Sequence, residues 1–213
     1  MNAAALLHLL QFASPALPIG GYSYSQGLET AIDRGMVIDA ASARDWIAAY
    51  LDVIALWDAP ILWRLMKSDA AGVALWSERF IASRDTAEFR AETIQMGYSL
   101  ARLLDELGVA GAEGEVALPT AFARAVAAYA IPHDEALLAM LFSWCENQVL
   151  VCVKSVPLGQ VAGQRLLLSL APDIELAAAR ARALKDEEMS NWSPGLSMLS
   201  MRHEVQHGRL YRS

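Results

Sequence analysis

Residues 86–107, TAEFRAETIQMGYSLARLLDEL, carry the longest unbroken helical period in this chain. Phe89, Thr93, Met96, Leu100, Leu103, Leu104 and Leu107 fall on one face, while Glu88, Arg90, Arg102 and Glu106 lie mainly off it. Asp85 and Glu88 have the separation of a capping box, which predicts a helix starting here. The same pattern recurs outward. Ser42 and Asp45 precede WIAAYLDVIALW with capping-box spacing, and Pro119, Pro132 and Pro172 each stand where a first helical turn tolerates a missing N–H. Acidic residues after Pro132 and Pro172 suit the positive end of a helix dipole. Residues 134–154 are apolar almost all round, as expected of a central helix. Only VLVCV (149–153) is β-branched enough to suggest a strand, and it continues a helical pattern. The expectation is an all-α fold: one domain over residues 1–213, an irregular bundle of about nine or ten helices with breaks at 108–114 and 157–159.

Composition narrows the function. With 55% hydrophobic and 19% charged residues the chain folds rather than staying disordered. A formal charge of −7 argues against a nucleic-acid partner, which would select a basic stripe. No positive region precedes the apolar start MNAAALLHLL, so a cytoplasmic protein is expected. The most apolar window, 135–153, is interrupted by Glu146, Asn147 and Gln148, which argues against a membrane span. Cys145 and Cys152 share a helical stripe two turns apart, too far for a disulfide, and read as buried thiols.

Candidate chemistry is sparse. His203-Glu204-Val205-Gln206-His207 fits the H-E-x-x-H zinc pattern, yet no Asp, Glu, His or Cys follows to supply a third ligand, and Gly208 can end the helix. No metal site, cofactor or catalytic residue is expected. The glycines at 20, 21 and 27 spell no phosphate loop, and no nucleophile motif occurs. Two segments remain unusual. SPALPIGGYSYSQGLE (14–29) cannot be one helix; it is either a recognition loop exposing Tyr22 and Tyr24, or a structural turn that packs them inward. The end, SMRHEVQHGRLYRS (200–213), is either a frayed terminus or a flexible tail with Arg and Tyr anchors. Glu146, Asn147, Gln148 and Lys154 on the most apolar helix either satisfy nearby backbone or line an interface.

Together, SPALPIGGYSYSQGLE, FRAETIQMGYSLARLL, SWCENQVLVCVKSVPLGQVAGQRLL and MRHEVQHGRLYRS resemble the UreF family of urease accessory proteins, in family order and across nearly the whole chain. One departure is His207, where the family would carry an aromatic residue. The resemblance implies an all-helical, homodimeric, non-enzymatic maturation factor. It would bind UreD (UreH in some systems), recruit the GTPase UreG and dock on apo-urease for GTP-dependent nickel delivery. Carried over by position, Tyr22 and Tyr24 in the loop 14–27 and Arg202, His203, Glu204, Arg209, Leu210 and Arg212 in the tail would engage UreD. Lys154, with Gln160 and Arg165, would influence the surface facing UreG. A direct activator of that GTPase, supplying an arginine from Arg165, Arg202, Arg209 or Arg212, is the alternative.

Overall fold

The computed structural model describes residues 1–111 and 115–212, which form eleven α-helices and two single-turn 3₁₀ segments with no strand among them. In chain order they are α1 (Ala3–Phe12), α2 (Leu28–Asp33), α3 (Ala40–Ile54), α4 (Asp58–Lys67), α5 (Ala70–Ala82) and α6 (Ala87–Glu106). There follow α7 (Leu118–Ala128), α8 (His133–Ser155), α9 (Gln160–Ser169), α10 (Ala171–Ala183) and α11 (Pro194–His203). The all-α single domain read from sequence is what folds. The extra helix has local causes. WIAAYLDVIALW breaks after Ile54, so α3 and α4 meet at a bend of 43°, and only Leu170 separates α9 from α10.

Helix starts differ slightly from the sequence expectation. The α3 capping box is Asp39 with Ser42, one box upstream of the pair expected, because Asp39 accepts from the Ser42 N–H while Ser42 Oγ accepts from the Asp39 N–H. Thr86 caps α6 by accepting from the Phe89 N–H at 3.1 Å. Pro132 is the residue just before α8 rather than its first turn, whereas Pro119 and Pro172 lie inside theirs. The break expected at 108–114 runs into residues 112–114, outside the described residues.

At the centre lies α8, which packs against α2, α3, α4, α9 and α10. Its apolar residues bury Leu137, Leu141, Cys145, Val149, Val151 and Cys152. By length and composition α8 could cross a membrane; in this fold it packs against five helices, and 44% of its most apolar window is buried. Both thiols are buried, which pushes each up to about 12. The tightest approach in the bundle is at Gly97 of α6: a Cβ there would lie 2.0 Å from the Val116 carbonyl oxygen and 2.5 Å from the Ala117 carbonyl carbon. Only glycine lets that backbone run so close to α6. The face of α6 expected from sequence is buried at Phe89, Thr93, Met96, Leu100 and Leu104, and it is wider than expected. Glu92 and Gly97 are buried, while Leu107 is 44% exposed.

Candidate functional site

The Pro- and Gly-rich loop leaves α1, turns through Gly20 at φ 79° and a 3₁₀ turn at Gly21–Ser23, and re-enters helix through two left-handed residues, Gln26 (φ 57°) and Gly27 (φ 83°). A positive φ at glutamine carries strain on the order of 1 kcal/mol or more, so something must hold it. Its side chain does. The Gln26 amide donates to Glu92 and accepts from the Trp144 indole N–H. The polar residues that looked odd on α8 anchor the same loop: Asn147 donates to the Tyr24 carbonyl at 3.0 Å, and the Tyr22 hydroxyl donates to Glu146 at 3.4 Å. Burial, then the neighbouring Glu146 carboxylate, raises the Tyr22 phenol well above its ordinary value.

Of the two sequence readings, this favours the turn that packs its tyrosines inward. Tyr24 is 5% exposed and Tyr22 is half-buried, because the loop roofs a cavity of about 170 Å³ that the Tyr22 ring helps to line. Burial also raises the Tyr24 phenol, and the Arg212 guanidinium beside it offsets part of that rise.

The second half of the site is the chain's end. Residues 200–213, read as a flexible tail, are anchored at a few points of their described length: Ser200, His203 and Tyr211 are buried, while Glu204, Val205 and residues 207–210 are exposed. His203, the last residue of α11, is fully buried between two carboxylates, with Nδ1 2.9 Å from Glu88 and Nε2 2.9 Å from Glu29. Both ring nitrogens donate if His203 carries a proton on each. The Glu29 carboxylate also accepts from the Leu210 N–H at 2.7 Å and the Tyr211 N–H at 3.2 Å. One buried side chain of α2 thus holds the end of α11 and the turn beyond it. Thr30 donates to Gln206, the Thr86 and Ser200 hydroxyls pair at 2.9 Å, and Arg209 lies 3.7 Å from Glu88. Burial raises the Glu88 carboxyl, against a smaller opposing pull from His203.

The two halves meet. The Arg212 N–H donates to the Ser23 carbonyl at 2.7 Å, joining tail to loop. Tyr211 is buried with the Lys154 ammonium 5.8 Å from its ring centroid, within reach of a cation–π attraction. Lys154, although on the most apolar helix, is exposed at the last turn of α8. Glu204, Arg209, Leu210 and Arg212 are exposed, Leu210 at 70%. Gln160 and Arg165 are exposed on α9. Arg202 turns elsewhere, beside Arg34 and Trp46.

The zinc pattern dissolves on inspection of the backbone. Since α11 stops at His203, His207 is not stacked a turn above it, and His203 is committed to Glu29 and Glu88. The sequence reading missed Glu29, Glu88, Gln26 and Trp144 as site residues. The available signal was a carboxylate inside an apolar helix face, as at Glu29 between Leu28 and Ala31.

Comparison with known proteins matches residues 37–171 to the UreF family profile. Over its whole length the chain is 63% identical to the urease accessory protein UreF of Janthinobacterium sp. (strain Marseille), covering 100% of both. It is 57% identical to the UreF protein of Nitrosospira multiformis, with 98% of each chain covered. Against that of Azoarcus sp. (strain BH72) it is 48% identical over 98% of this chain and 95% of the relative. These alignments extend to the loop and tail that lie beyond the profile match.

Proposed function

This chain belongs to the UreF family of urease accessory proteins, and on that premise we propose that it is a non-enzymatic scaffold for nickel insertion into urease. The observation that supports the reading is the convergence of three segments remote in sequence. Loop residues 20–24, tail residues 209–212 and Lys154 share one surface. That surface presents exposed cations and an exposed Leu210 on a buried, hydrogen-bonded footing, the combination of planar polar tips and apolar area that suits a protein partner.

In this reading UreD docks on the loop and tail, with Arg209, Leu210 and Arg212 as contacts. Lys154 borders the side from which UreG is recruited. Gln160 and Arg165 extend that side along α9. The assembly, built on a homodimer in the cytoplasm, then docks on apo-urease, and nickel is handed over as cargo in a GTP-dependent step. His203 and Tyr24 act from beneath, as positioning residues rather than contacts.

The test is reconstitution of apo-urease activation with UreD, UreG, GTP and nickel. Adding this chain should raise nickel occupancy of urease, and Lys154→Ala should lower that gain while leaving the fold unchanged. Equal occupancy with and without the chain would sink the scaffold reading. Multiple-turnover GTP hydrolysis, run alongside, separates it from direct activation: a scaffold leaves the turnover rate of UreG alone.

A further inference from the structure

A groove of about 660 Å³ lies between α3 and α11, distinct from the loop–tail surface. Along α3 it runs from Trp46 to Val53, and along α11 from Gly195 to Arg202, about two helical turns or 10 Å on each wall. Met36 and Met198 line it and are 54% and 48% exposed, side chains whose flexible thioethers adapt to an incoming apolar surface.

Two features give the groove a chemical preference. Arg34 and Arg202 stand at its edge, both exposed, and neither has a carboxylate partner among the described residues. Elsewhere in this acidic molecule the arginines are largely committed, as in Arg44 to Asp173, Arg84 to Asp58 and Arg182 to Asp134.

We propose that this groove docks an acidic, apolar-faced segment of a protein partner, one to two helical turns long. Its apolar side chains enter between Met36 and Met198, and its carboxylates pair with Arg34 and Arg202. Complementary charge selects a foreign acidic segment over a neutral one, and helix-in-groove binding uses side chains spaced as these walls are. The inference rests on the scaffold reading, because it supplies that scaffold with a second contact.

The experiment uses the full chain in the reconstituted assembly with UreD, UreG and apo-urease. A photo-crosslinking residue replaces Met198, and the double charge reversal R34E/R202E is measured for assembly affinity beside the wild type. Adducts should map to a partner segment holding at least two Asp or Glu beside apolar residues. The reversal should weaken assembly at least tenfold, and the neutral pair R34Q/R202Q less. Because both arginines are exposed, melting temperatures should stay level, and the neutral pair reports if the reversal misfolds. Assembly affinity within twofold of wild type, or adducts to a second copy or to a basic segment, would overturn the proposal while leaving the scaffold standing. Failure of the unmodified chain to assemble removes both.

Discussion

Leu137 and His203 are each fully buried, yet the two regions around them are held by opposite means. Around Leu137, α8 meets its neighbours through aliphatic side chains whose gain scales with the area removed from water. Around His203, burial is tolerated because each polar atom meets another: Glu88 and Glu29 on the imidazole, Leu210 and Tyr211 N–H groups on Glu29. Apolar packing degrades gradually when one residue shrinks. A buried charge network fails when one partner leaves, since the remaining carboxylates keep their desolvation cost. The core should therefore be the rigid part of the molecule, and the tail junction the part that opens by itself.

The largest contrast should appear in thiol chemistry. With Cys145 and Cys152 buried and raised to about 12, native protein at pH 8 should react with a thiol reagent at least a thousandfold more slowly than unfolded protein. Fast native labelling would mean that α8 is not the closed core described. Next, Leu137→Ala should lower unfolding stability by about 3 kcal/mol through the cavity it leaves. Denaturant midpoints measure it, and a loss below 1 kcal/mol would blur the distinction between the regions.

His203→Ala should cost a similar amount, about 3 kcal/mol, but locally. Limited proteolysis after residue 203 should accelerate while Cys145 and Cys152 stay unreactive. Simultaneous exposure of the thiols would merge junction and core into one cooperative unit. A smaller effect concerns pH. Burial raises the folded Glu88 carboxyl above its ordinary value of 4.5, so the folded state binds that proton more tightly than the unfolded chain. Its contribution is complete below 4.5 and is lost as pH rises through the raised value, beside His203, Arg209 and Glu204. The stability of wild type relative to Glu88→Gln should therefore fall from pH 4.5 upward, and a difference independent of pH would contradict this. Smallest of all, Lys154→Ala should change folding stability by less than about 0.5 kcal/mol, since the ammonium is exposed.

How legible each region was follows the same division. Helices of the core announced themselves because a period of three and four is local: TAEFRAETIQMGYSLARLLDEL carries its own face and its own cap. The burial of Gly97 beside that face was hidden, since it depends on where the 116–118 backbone arrives. The junction was harder still. Glu29 and His203 are 174 residues apart, and nothing in either neighbourhood states the pairing. His203 instead drew attention through H-E-x-x-H, a pattern that the end of α11 makes irrelevant. The loop and tail were recognisable as unusual, but which tyrosine faced inward was decided by Asn147 and Arg212, far along the chain.

The central claim is that loop, tail and the end of α8 act as one surface, and amide hydrogen exchange with and without UreD tests it most directly. Protection on binding should appear together in residues 20–26, 152–158 and 204–212, with the α3 and α10 core unchanged. Protection confined to the tail, or absent from all three segments while UreD remains bound, would contradict the account.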